Sequence, residues 1–255
     1  CLPWAIFRLC GIVPWCRSRM CSHVYSVPML ALAVAMVVYP AIQIAQGRTT
    51  SMNVCTLPFT VAGLLGALSL RRSFTLELFT DFPGPLEFYS FKHGFPEEFL
   101  HGSLRHFGSM SLLWLVVALV RSAGEFFPQD ASCAVEHDRW VLVCFVIGTI
   151  LFAVLLYAQL HVICVLGLMV DRYCLKLFPD PGSCSTVLEW NLIQAMLRQI
   201  AGTFDFCFLM TQTGAWTALL LAGFQVFSRD RLDIDTACGV NYHMSLLMPA
   251  VLMAM

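Results

Sequence analysis

The chain has 255 residues, of which 58% are hydrophobic and 12% charged, with a formal net charge of -1. Soluble domains carry roughly 45–50% apolar and about 25% charged residues, so this composition excludes an ordinary water-soluble domain and points to a membrane protein. A near-zero net charge supplies no basic excess for a nucleic-acid partner, and the partner to expect first is the lipid bilayer.

Residues 1–24 hold Trp4, Trp15, Arg8, Arg17 and Arg19 among apolar residues. Tryptophan and arginine beside an apolar surface suit the membrane interface, so this segment is expected to be interfacial. Cys16 and Cys21 precede the first predicted helix closely, and juxtamembrane cysteines of this kind are candidates for S-palmitoylation.

Residues 25–70 hold two predicted spans. Tyr25 to Ala45 is the first, with Pro28 expected in its first turn and Pro40 deeper, at a kink. Met52 to Leu70 is the second, expected to stop at Arg71-Arg72. Gly63, Gly66 and Ala67 give it a small-residue face that lets a neighbouring helix approach closely.

Residues 71–107 are rich in phenylalanine, and Pro83-Gly84-Pro85 breaks any helix there. This stretch is expected to be an aromatic loop on the membrane surface or against another cytoplasmic element. Within it, Glu98 and His101 have the E-x-x-H spacing of di-iron carboxylate helices, with Glu97 and His106 nearby. Such sites need a second pair, and none is visible, so no metal or other cofactor is expected.

Residues 108–255 carry the remaining spans. The third has a short apolar core, Met110 to Val120, with Arg121 and Glu125 just past its end. Trp140 to Val170 is the longest apolar run and contains no charged residue. A run of about 30 residues reaches roughly 45 Å as a helix, against a hydrocarbon core of about 30 Å. The fourth helix therefore continues past the lipid, to Asp171-Arg172-Tyr173. Thr186 with Glu189 fits a capping box opening the next helix. That helix is expected to run to about Phe227, amphipathic at first and membrane-spanning from Phe206. A polar link follows, and Val240 to Met255 starts a sixth span. A chain that begins at Cys1 and ends within an apolar run is expected to be part of a longer protein.

The fold class is therefore all-α: a polytopic transmembrane bundle of about six spans. A helical hairpin around residues 160–204 extends spans four and five. Ten of the 15 lysines and arginines fall on the side of the N-terminus, the 71–107 stretch and the hairpin. The positive-inside rule puts that side in the cytoplasm. Cys133 and Cys238 then share the opposite side, where a disulfide is chemically allowed.

No phosphate loop, nucleophile elbow or zinc-protease motif is present, so no catalytic set is assigned and no enzyme is expected. Polar groups at membrane depth are the functional candidates: Gln159 and His161 near the cytoplasmic boundary of the fourth span, Thr211 and Gln212 in the fifth, and Asp205 at its cytoplasmic start. Two readings compete for them. A channel, transporter or receptor lines a polar cavity with such groups, whereas a scaffolding subunit pairs them with one another in a dry bundle.

Two resemblances belong beside these residues. Asp171-Arg172-Tyr173 resembles the D-R-Y of rhodopsin-like receptors, but it ends the fourth predicted helix rather than the third. The layout as a whole is similar to insect odorant and gustatory receptors. It shares the N-terminus inside, a long second loop and extended helices four and five. That likeness implies a chemoreceptor-like, homo-oligomeric membrane protein and carries over no functional residue.

Overall fold

The computed structural model describes residues 9, 10, 12, 19–46, 51–75, 89–126, 139–178 and 184–229. The described residues are helical apart from short turns, and they form five long helices: α1 (Arg19–Ala45), α2 (Ser51–Thr75), α3 (Pro96–Phe126), α4 (Arg139–Leu177) and α5 (Cys184–Arg229). Among the described residues, α3, α4 and α5 are long and apolar enough to cross a membrane, and α1 adds a shorter apolar stretch, Leu30–Ala45.

Length sets the character of the last two helices. With 39 and 46 residues, α4 and α5 reach roughly 58 Å and 69 Å at about 1.5 Å per residue. Each exceeds a hydrocarbon core of about 30 Å. The tail of α4 packs on the head of α5. Val165 and Met169 join Ile193, Met196 and Ile200 in one buried cluster, and Tyr173 stacks on Trp190 with ring centroids 5.2 Å apart. An apolar helix surface this long needs cover. Part of it comes from Tyr89, Phe95 and Phe99, buried in the same cluster.

Helix α2 lies against both α4 and α5, and its small residues allow this. A β-carbon added to Gly63 would stand 2.9 Å from the backbone nitrogen of Phe152 on α4. One added to Gly214 of α5 would stand 2.5 Å from the Ala62 β-carbon on α2. Backbones this close exclude any side chain larger than hydrogen, so dispersion contacts form along the whole interface. The Gly63, Gly66 and Ala67 face does what its composition predicts: Gly66 approaches Leu155 and Cys207, and Ala67 is buried.

Several boundaries differ from the sequence expectation. Helix α1 begins at Arg19, which moves Pro28 from a first turn to the helix interior. Helix α2 runs through Arg71-Arg72 to Thr75; an apolar-to-charged switch in sequence does not end a helix's backbone hydrogen bonding. Helix α3 begins at Pro96, so the second half of the expected aromatic loop is helical. Its start has ordinary local causes. Gly94 takes a φ of +77°, which glycine adopts without penalty. Proline then occupies the first turn with Glu97 and Glu98, where its missing N–H costs nothing and the carboxylates suit the helix dipole. Helix α5 begins two residues before Thr186, which is buried. The capping-box register is therefore not the one adopted, and Glu189 is employed elsewhere. Ile12, expected at the interface, is 2% exposed and sits in the main apolar cluster.

Candidate functional site

The five candidate residues of α4 and α5 do not share one cavity among the described residues. Gln159 and Thr211 do meet, in the buried seam between α4 and α5. The Gln159 amide Nε2 donates to Thr211 Oγ1 at 3.1 Å and to Cys207 Sγ at 3.2 Å. Thr211 Oγ1 in turn lies 3.2 Å from Gln159 Oε1 and 3.1 Å from its own helix carbonyl at Cys207. Both side chains are about 95% or more buried and satisfied by one another. Gln212 and Asp205 are exposed on the other side of α5. One residue of register decides this: Thr211 and Gln212 are neighbours in sequence, but helical geometry separates them by about 100° around the axis.

His161 belongs to a second cluster, between α3 and α4. Its ring is 6% exposed. It stacks on Tyr157 at 6.0 Å, meets Phe99 edge-on at 5.0 Å and stands 6.2 Å from the His106 ring. Neither ring nitrogen of His161 has a hydrogen-bond partner among the described residues. Around it, three polar contacts join α3 to α4. Ser103 Oγ and Tyr157 Oη share a hydrogen bond of 2.8 Å. His106 Nε2 and Cys164 Sγ lie 3.5 Å apart. The Trp114 indole N–H donates to Thr149 Oγ1 at 3.2 Å.

Beside this cluster lies an apolar cleft of about 310 Å³. Phe107, Met110 and Trp114 of α3 form one wall, Ile150, Val154 and Tyr157 of α4 the other, and Leu9 and Cys10 close part of the rim. Its volume falls at the lower edge of the roughly 300–1,000 Å³ typical of small-molecule pockets, and so does its make-up, apolar with a few polar groups at the margin. The polar groups at its margin are Ser111 and the Tyr157 and Trp114 ends, the last two each hydrogen-bonded to the neighbouring helix. Sequence reasoning missed this cleft, because only the packing of α3 on α4 brings Met110 and Trp114 opposite Ile150 and Val154.

A third cluster gathers on Glu189. Its Oε1 accepts from the Tyr89 hydroxyl at 2.9 Å and lies 3.2 Å from His93 Nδ1, and its Oε2 accepts from Lys176 Nζ at 2.7 Å. One carboxylate thus joins the 89–93 turn, the end of α4 and the start of α5. Burial lowers the His93 pKa from its ordinary 6.5, and the Lys176 and Lys92 ammonium groups add to that, while the Glu189 carboxylate acts the other way. Burial, then the bond to Glu189 and its charge, raise the Tyr89 hydroxyl above its ordinary 10, which keeps it a donor.

The E-x-x-H pair is taken apart by the fold. Glu98 forms an ion pair with Arg172 at 2.5 Å, His101 is exposed, and His106 turns inward. Among the described residues, no three His, Cys, Asp or Glu side chains stand close enough together to hold a metal ion. The D-R-Y residues divide similarly: Asp171 is exposed, Arg172 reaches Glu98 and Tyr173 stacks on Trp190. Cys16, Cys133 and Cys238 lie outside the described residues, as does the Cys21 side chain. In comparisons with known proteins, no family model, characterised protein or solved structure matches the chain.

Proposed function

We propose that this chain is a non-catalytic, chemoreceptor-like membrane protein of about six spans that senses a small apolar solute in the cleft between α3 and α4. In this reading the N-terminus, the 89–93 turn and the α4–α5 hairpin are cytoplasmic. The observation that carries the reading is the cleft itself, a volume of about 310 Å³ walled by Phe107, Met110, Trp114 and Val154. An apolar ligand entering it would gain roughly 25 cal/mol per Å² of apolar surface removed from water. Ligand volume there would press on α4, whose far end is tied through Lys176 to Glu189. That coupling gives a sensing bundle a physical link from cleft to hairpin.

The test uses a diazirine-bearing medium-chain alcohol as a photolabel on the chain in lipid vesicles. Label should concentrate on Phe107–Trp114 and Ile150–Tyr157, be competed by excess unlabelled alcohol, and vanish in Ala153→Trp, which fills the cleft. Label spread equally over the exposed face of α5, at Leu209, Leu220 and Phe224, would identify the cleft as ordinary lipid-facing surface.

A second reading rests on a specific observation. Gln159 and Thr211 satisfy one another in a dry seam, which is the arrangement expected of a scaffolding subunit in a membrane complex. Uniform photolabelling would favour it.

A further inference from the structure

We infer that the ligand of the α3–α4 cleft is an uncharged amphiphile, an apolar body carrying one hydroxyl or carbonyl oxygen, and that the Ser111 hydroxyl selects it by hydrogen-bonding that oxygen. The inference rests on the reading of the cleft as the sensing site and adds what that site recognises. Helix α3 carries Ser103, Ser109, Ser111 and Ser122. Ser109 and Ser122 donate to carbonyls of their own helix, those of His106 at 3.0 Å and Ala118 at 2.8 Å. Ser103 shares its hydrogen bond with Tyr157 at 2.8 Å. Ser111 lines the cleft and has no hydrogen bond among the described residues.

The other polar side chains of the cleft are engaged. An indole has a single N–H and no acceptor, and the Trp114 N–H is given to Thr149. The Tyr157 hydroxyl is held by Ser103. Cys10 offers only a thiol, a weak donor. Among the described residues, Ser111 is therefore the strong hydrogen-bonding side chain left to a ligand. A hydroxyl both donates and accepts, so an alcohol or a carbonyl oxygen satisfies it equally.

The rest of the lining sets the remaining terms. No charged side chain lines the cleft among the described residues, so an ion would be stripped of water with no counter-charge to replace it. A plain hydrocarbon is not selected either. Against water it gains by entering, but against the surrounding lipid it gains almost nothing, because acyl chains are as apolar as the walls. What separates a ligand from an acyl chain is the hydrogen bond to Ser111, together with size. A cavity of about 150 Å³ holds benzene, and the cleft, at about 310 Å³, has room for a body of roughly ten heavy atoms on the same scale.

The test is competition against the diazirine-bearing alcohol label in vesicles, with 1-nonanol, 2-nonanone, decane and nonyl sulfate as competitors of matched length. Amounts are expressed as mole fraction in the bilayer, which removes differences in partitioning. Nonanol and nonanone should displace label from Phe107–Trp114 and Ile150–Tyr157 at mole fractions about three- to tenfold lower than decane, the size of one hydrogen bond in a membrane. Nonyl sulfate, charged at every pH, should not displace it. In Ser111→Ala both oxygen compounds should fall to the level of decane while decane itself is unchanged, which also shows that the cleft is intact. Ser111→Thr keeps a hydroxyl and should keep the advantage. Decane equal to nonanol in the parent chain, an advantage that survives Ser111→Ala, its loss in Ser111→Thr with decane unchanged, or displacement by nonyl sulfate would each overturn the inference and leave the cleft standing as a binding site. Label that no competitor displaces would overturn the reading of the cleft itself, and the inference with it.

Discussion

The Tyr89 hydroxyl donates to Oε1 of Glu189 across 100 residues of sequence, at 2.9 Å. Glu189 also takes His93 on the same oxygen and Lys176 on the other. The 89–93 turn, α4 and α5 are therefore joined at one carboxylate whose side chain is 10% exposed.

That convergence predicts an ordered series. Tyr89→Phe removes one donor and should cost about 1 kcal/mol. Glu189→Gln keeps the shape but loses the charge that Tyr89 and Lys176 bond to and His93 stands beside, and should cost about 1.5–3 kcal/mol. Glu189→Ala should cost most, because it also leaves the Tyr89 hydroxyl without its acceptor. Denaturation of the reconstituted chain by titration with a harsh detergent gives the order. A Glu189→Gln protein as stable as the parent would show that the carboxylate is dispensable.

A pH dependence follows from His93. Its pKa in the folded chain lies below the ordinary 6.5, chiefly because the ring is buried. A depressed histidine favours the fold while neutral. Its contribution is complete above about pH 6.5 and is lost as pH falls toward the lowered value. Hydrogen exchange at amides 89–95 should therefore speed up between pH 7.5 and pH 5 relative to amides in α2, after correction for the intrinsic pH effect. His93→Asn should flatten that difference.

Two glycines should respond in opposite ways. Gly214→Ala puts a β-carbon 2.5 Å from the Ala62 β-carbon and 3.1 Å from the Pro58 carbonyl. Neither neighbour is a flexible side-chain end, so α2 and α5 must separate, at about 1–3 kcal/mol. At Gly167, on α4, an added β-carbon would meet nothing within 4 Å among the described residues. Alanine there should be neutral or stabilise by up to about 1 kcal/mol, through helix propensity. Thermal unfolding of the two variants side by side checks the contrast.

His161 makes a less intuitive prediction. Its imidazole is buried among Phe99, Tyr157 and His106, with both nitrogens unpaired among the described residues. An unsatisfied buried polar group costs about 1–3 kcal/mol. His161→Phe keeps a flat ring in the stack and removes the unpaired atoms, so it should raise stability by about 1 kcal/mol. A fall in thermal stability would show that the imidazole nitrogens have a partner in the membrane.

The helical class, the long apolar helices and the close approach at Gly63 and Gly66 were legible from residues near one another in the chain. Apolar run length, helical periodicity and small side chains are local properties, and they bracket α4 and α5 to within a few residues of their observed ends. The local signals at the start of α3 were also there, in Gly94, Pro96, Glu97 and Glu98. The aromatic run around them outweighed them and gave a loop. Tertiary structure alone decided which partner each polar group takes. Glu189 reads as a cap, and packing turns it to Tyr89, His93 and Lys176. Thr211 and Gln212 read as one polar patch, and the roll of α5 against α2 and α4 buries the first and exposes the second. Hydrogen-bond partners 50 to 100 residues apart leave no imprint on sequence spacing, because they exist only once distant helices have been brought into contact.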